Sequence, residues 1–155
     1  MRWLAGATAG VPALALAQTP AAPDGRAGTN ISVIAGECRS LVVANRVLTK
    51  ACTPNMIGIL YPDREISFVF GLADGSLISF KGRPGHAQGQ QTTLKVVQVT
   101  VSSKNVARPA AVLGSCVFTG LGSRRNHLQC DVSGEGLRYS ASFVTRGSVP
   151  ARFTL

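Results

Sequence analysis

Four cysteines constrain this chain more than any other feature of its sequence. Cys38, Cys52, Cys116 and Cys130 form two neighbouring pairs, each separated by 14 positions, with 64 positions between Cys52 and Cys116. In an exported chain of 155 residues, an even cysteine count reads as a disulfide framework. Residues 1–17 predict export. Arg2 is followed by an apolar run from Leu4 to Leu16 that closes on Ala15-Leu16-Ala17, the basic, apolar, small-x-small order of a cleaved signal peptide. The run contains Pro12 and is too short to anchor in a bilayer. The residue after Ala17 is Gln18 rather than a cysteine that could carry a lipid. The expected organisation is a signal peptide at 1–17, a Pro/Ala/Gly-rich leader at 18–30 and a single β-domain at 31–155, periplasmic or secreted.

Four cysteines allow three pairings. The preferred one is Cys38–Cys52 with Cys116–Cys130, because each pair can face across a β-hairpin. With Asn45 at the centre of the first turn, Cys38 faces Cys52, Ser40 faces Lys50 and Val42 faces Leu48, all on one face of the sheet. The second hairpin centres on Ser123, with a polar loop from Leu121 to Asn126. The spacing contains no Cys-x-x-Cys redox motif and no close ligand pair for zinc, so structural disulfides are expected and no metal.

The rest of the chain alternates with a period of two. Leu137, Tyr139, Ala141 and Phe143 alternate with Arg138, Ser140 and Ser142, as in a half-buried antiparallel strand. Ile66, Phe68 and Phe70 form one face, and Ile78 and Phe80 another. A three-residue Ala73-Asp74-Gly75 loop pairs Phe68 with Phe80 and Phe70 with Ile78, keeping every apolar residue on the core side. Strands are expected at 31–35, 38–44, 47–53, 56–61, 64–71, 76–81, 92–102, 112–119, 126–132, 137–145 and 151–154, with a mobile polar loop from Lys81 to Gln91. The fold class is therefore all-β, a small antiparallel sandwich or barrel stapled by two disulfides.

Catalytic machinery is not evident. His86 and His127 lack an acid or a second histidine at ligand spacing, and both read as surface residues. Asp63 and Glu65, two positions apart, could share a strand face as an acid/base pair would, but read as a solvated hairpin edge. No nucleophile elbow, phosphate loop or His-Glu-x-x-His occurs. The expectation is a protein that is not an enzyme and carries no cofactor.

Charge is the one functional hint. The chain has 16 Lys and Arg against 7 Asp and Glu, a formal +9; losing residues 1–17 removes Arg2 and the only Trp, leaving +8. Lys81, Arg83, Arg124, Arg125 and His127 are the candidate anion-binding residues, suited to an anionic envelope polymer such as lipopolysaccharide phosphate or an acidic glycan. Nucleic acid is disfavoured, because no aromatic residues interleave with these cations as stacking platforms. A second class of function is a hydrolase inhibitor presenting the braced loop 120–127 to a lysozyme or protease. A third, an outer-membrane barrel ending in Phe153-Thr154-Leu155, is opposed by scarce Tyr and interrupted strands. A deep lined pocket would favour carriage of a ligand. One coherent basic face would favour polymer binding.

The signal, Gly-x-Cys-Arg-Ser-Leu at 36–41, Cys52, the Ser67–Phe70 and Ile78–Phe80 strands and Gly-x-Cys…Cys at 114–130 together resemble small exported proteins of unknown function from alphaproteobacteria. That resemblance implies no activity. The segment Ser133-Gly134-Glu135-Gly136-Leu137-Arg138-Tyr139-Ser140 resembles the Ser-Gly-x-Arg-Tyr segment of periplasmic lysozyme inhibitors, which are small disulfide-linked β-barrels. The match spans eight residues with insertions, and a basic chain would repel a basic lysozyme; no functional residue is carried over.

Overall fold

A computed structural model describes residues 28–120 and 124–147. The signal and leader (apart from residues 28–30), the expected strand at 151–154 and residues 121–123 of the second hairpin loop lie outside the described residues. The strands are β1 (Asn30–Val43), β2 (Arg46–Val47), β3 (Cys52–Leu60), β4 (Ile66–Leu72), β5 (Leu77–Gln88), β6 (Gln91–Ser103), β7 (Val106–Thr119), β8 (His127–Gly134) and β9 (Leu137–Thr145). Each pairs antiparallel with its neighbour, and β9 returns to β1, so eight strands close into a barrel with the two-residue β2 appended to β1. Closure decides between sandwich and barrel. It also removes the sheet edges that an open all-β domain must protect.

The core lies inside the barrel. Phe70, Phe80 and Phe143 are fully buried and meet edge to face, with Phe70 5.8 Å from Phe80 and 6.1 Å from Phe143. Phe68 stacks on Phe118 at 6.2 Å. The outward positions carry Lys95, Gln98, Gln129, Asp131 and Arg138. Exposed apolar residues, Ile31, Val33, Val97 and Leu113 among them, are interspersed with these, and the phenylalanines face inward, whereas barrels that span membranes carry aromatic girdles on their outer surface. No helix among the described residues is long and apolar enough to cross a membrane.

Both disulfides form as expected, Cys38–Cys52 and Cys116–Cys130. Cys116 and Cys130 are directly opposite each other, in the register set by centring on Ser123. The β4–β5 hairpin pairs Phe68 with Phe80 and Phe70 with Ile78 around Gly75, whose φ of 82° only glycine adopts without strain.

The first hairpin departs from expectation at its tip. Val42 pairs with Val47, not Leu48, and Lys50 lies in a 3-10 turn (Thr49–Ala51) rather than opposite Ser40. The cause is the turn itself. Ala44 and Asn45 both take positive φ, 49° and 66°, giving the two-residue turn whose twist matches the flanking strands. The 3-10 turn absorbs the displaced residue, and farther along Ile31 faces Ile59 and Val33 faces Ile57, in the register that an Asn45 centre requires. A bulge between Cys38 and Ser40 reverses the parity of β1, so Ile34 points inward before it and Leu41 and Val43 after it.

Two expected connections are strands. Instead of a loop at Lys81–Gln91, β5 continues to Gln88, with Pro84 opposite Leu94 and a register shift between Pro84 and Ala87. Proline is tolerated beside a bulge because the ladder is already interrupted there. A Cβ on Gly82 would strike the Lys95 carbonyl, so glycine permits the close approach at the other shift, between Lys81 and Gly82. Likewise β7 begins at Val106 rather than 112, because Lys104-Asn105 makes another two-residue turn, with φ of 48° and 65°.

Candidate functional site

Antiparallel closure collects four hairpin turns at one end of the barrel: Ala44-Asn45, Ala73-Asp74-Gly75, Lys104-Asn105 and Glu135-Gly136. This end is open. A cavity of about 680 Å³ descends from it, walled by Val43 and Leu48 on one side, Leu72 and Ile78 on the next, and Val101, Ala110 and Leu137 beyond. Eight-stranded barrels have an interior just wide enough for packed side chains or one small ligand. Here the two uses divide the barrel. Phe70, Phe80 and Phe143 fill the middle, and the mouth above them stays hollow.

The wall is apolar with a few polar groups. Tyr139 is 4% exposed, lines the cavity, and its hydroxyl makes no hydrogen bond among the described residues. Arg46 and Arg108 stand at the rim on separate hairpins. Neither forms an ion pair among the described residues. Asn45 ties the rim together: its amide donates to the Arg138 carbonyl at 3.1 Å, and its Oδ1 accepts from the Arg138 amide at 2.8 Å.

Asp74 is the one carboxylate in the wall. Hydrogen bonds from the Ser76 amide, 2.9 Å from Asp74 Oδ1, and from the Ser76 hydroxyl hold its carboxyl below the usual aspartate range, and the Lys104 charge adds to this. A depressed pKa means that the folded state binds fewer protons than the unfolded chain near pH 4. Asp74 therefore stabilises the fold above about pH 3.9, and the contribution disappears as pH falls through the lower folded value. Asp74→Asn keeps an acceptor for Ser76 and removes the titration. Its melting temperature is expected to fall less than that of the unaltered protein between about pH 4 and pH 2, as thermal melts across that range will show.

The candidates singled out from the sequence lie elsewhere. Lys81 and Arg83 sit on the outer face of β5 and both reach Glu65, at 2.6 and 3.5 Å. Lys81 also covers the Tyr61 ring at 4.8 Å, and its hydrogen bond to Glu65 raises its pKa. Asp63 and Glu65 belong to the β3–β4 turn, where Asp63 Oδ1 accepts from the Glu65 amide at 3.1 Å. Arg124 and Arg125 lie in the β7–β8 connection at the opposite end, and His127 opens β8 with Nε2 2.8 Å from Ser142 Oγ. β6 and β7 separate these two groups in the sheet.

Arg46, Arg108 and Tyr139 were not singled out. The available signal was Asn45 and Asn105, each tolerant of positive φ and so able to mark a tight turn, with Arg46 one residue and Arg108 three residues beyond. Fold and site together define a small disulfide-stapled β-barrel with a hollow, apolar mouth. Two disulfides indicate folding in an oxidising environment outside the cytoplasm. The chain matches no known family model, no curated protein and no solved structure.

Proposed function

We propose that this is an exported, non-enzymatic binding domain whose mouth takes the apolar part of an anionic amphiphile of the cell envelope. The observation that carries this reading is the cavity: its 680 Å³ lies within the range of small-molecule sites, which are largely apolar with a few placed polar groups. The arginines at the rim supply charge-assisted hydrogen bonds for a carboxylate, sulfate or phosphate, and Tyr139 offers a hydroxyl farther in. Binding rather than turnover is supported by the wall chemistry. Its single carboxylate is engaged with Ser76, and the four thiols are oxidised.

The test is titration with anilinonaphthalene sulfonate, an apolar fluorophore carrying one negative charge. Saturable fluorescence enhancement is expected, reversed by a long-chain fatty acid but not by a cationic amphiphile of the same chain length. Ala110→Trp, which fills the cavity, should weaken binding at least about tenfold, or roughly 1.4 kcal/mol. Arg46→Gln with Arg108→Gln should weaken the anionic competitor while sparing a neutral apolar probe. Non-saturable binding, or binding indifferent to Ala110→Trp, would overturn the reading.

A further inference from the structure

The same end of the barrel carries a second feature that ligand binding alone does not require. Val47 is 75% exposed and Val106 is 55% exposed. Each lies just beyond an Asn-containing turn, one on the first hairpin and one on the β6–β7 hairpin. Each sits in a shallow depression adjoining the mouth: the one at Val47 shares Leu48 and Ala51 with the cavity wall, and the one at Val106 shares Val101 and Arg108. Around them stand Arg46, Lys50, Lys104 and Arg108, all exposed, against the acids Asp74 and Glu135. Among the described residues none of these four cations is held in an ion pair; on the barrel wall Lys81, Arg83 and Arg138 are paired with Glu65 or Asp131, while Lys95 there and Arg64 in the β3–β4 turn are not.

We propose that this end docks on an anionic phospholipid bilayer, with Val47 and Val106 entering the headgroup layer and the surrounding cations meeting lipid phosphates. Apolar residues ringed by unpaired basic ones, all at one end, match the charge and polarity of such a surface. The proposal rests on the amphiphile reading of the mouth and extends it: a ligand sparingly soluble in water passes between bilayer and cavity without crossing solvent. Docking at this end aims the opening at the membrane.

Co-sedimentation with vesicles tests it. The full chain should bind vesicles of mixed phosphatidylglycerol and phosphatidylcholine and not phosphatidylcholine alone. Binding should be lost at about 0.5 M salt, where screening cuts the reach of exposed charges to a few ångströms. Val47→Ser with Val106→Ser, and separately Lys50→Glu with Lys104→Glu, should each weaken vesicle binding about tenfold or more. None of these four residues lines the main cavity, so both variants should still bind the fluorophore. Val33→Ser, at a residue 68% exposed and distant from the mouth turns, should bind vesicles like the unaltered protein. Dye binding without vesicle binding, or equal losses for Val33→Ser and the valine pair, overturns the docking and leaves the pocket reading standing. Vesicle binding without dye binding removes the amphiphile reading on which the docking rests.

Discussion

Replacing Phe70 by alanine is expected to cost about 3–5 kcal/mol, the range for emptying a well-packed core of one aromatic ring. Phe70 is fully buried and is the one ring that contacts both Phe80 and Phe143, so its loss removes two edge-to-face pairs together with its burial. For a domain of this size the melting temperature should drop by roughly 10–20 °C. The ring also stands below the mouth: its strand partner Ile78 forms part of the cavity wall. If the space it vacates joins the cavity, Phe70→Ala will accept longer apolar ligands than the unaltered protein while melting lower. Phe70→Leu should keep most of the stability and the original length limit. Thermal melts paired with a chain-length series of fatty acids separate the two effects; a stability loss below about 1 kcal/mol would show that the three rings do not act as the core's central plug.

The placement of Phe70 was legible in the sequence because local signals agreed. Gly75 supplied the positive φ that a three-residue loop needs, and only one register left Phe68, Phe70, Ile78 and Phe80 together on the core side. The second cysteine pair was legible for the same reason, since equal and opposite positions around Ser123 place Cys116 against Cys130. What failed was local too, where residue type and backbone disagree. Ala44 adopts a φ of 49° that nothing about alanine announces, and Pro84, Gly85 and Pro109 signal loops yet lie in strands. Bulges at β1 and between β6 and β7 reverse which residues face inward, so a strict period of two fails within one strand.

The site was less legible than the fold, and the reason is topological. Arg46 and Arg108 are far apart in sequence and reach one rim only because β9 pairs with β1 and closes the sheet. Clusters such as Arg124-Arg125 are conspicuous in sequence because they are contiguous, whereas a barrel mouth is assembled from single residues contributed by successive hairpins. Open sheet and closed barrel share the same period of two. Only closure creates an inside with two ends, and the proposed function lies in the cavity at the end where the arginines meet.

The two disulfides close loops of equal length, so they offer a controlled comparison. Each spans a separation of 14 residues, and the chain-entropy model assigns about 3 kcal/mol to either loop. Their surroundings differ. Cys116 and Cys130 are 1% and 0% exposed and lie within an unbroken β7–β8 ladder, so replacing both by alanine also leaves a core void. The total loss should be about 3–5 kcal/mol. Cys38 and Cys52 are only partly buried and bridge the stretch where β1 and β3 are not paired, between Ala35–Asn55 and the Ala44-Asn45 turn. Their replacement should cost only the loop term, about 3 kcal/mol. It should also loosen the mouth, because the adjoining segment contributes Val43, Leu48 and Ala51 to the cavity wall. The amides of Leu48 and Ala51, which donate to the Leu41 and Leu48 carbonyls at 2.8 and 3.0 Å, should then lose hydrogen-exchange protection. The Cys116/Cys130 variant should leave those amides protected in its folded state and be the less stable of the two in denaturant. Equal stability losses would mean that burial of the second bridge contributes nothing beyond loop closure. Protection unchanged at Leu48 and Ala51 would mean that the hydrogen bonds of the first hairpin, rather than its disulfide, hold the mouth in shape.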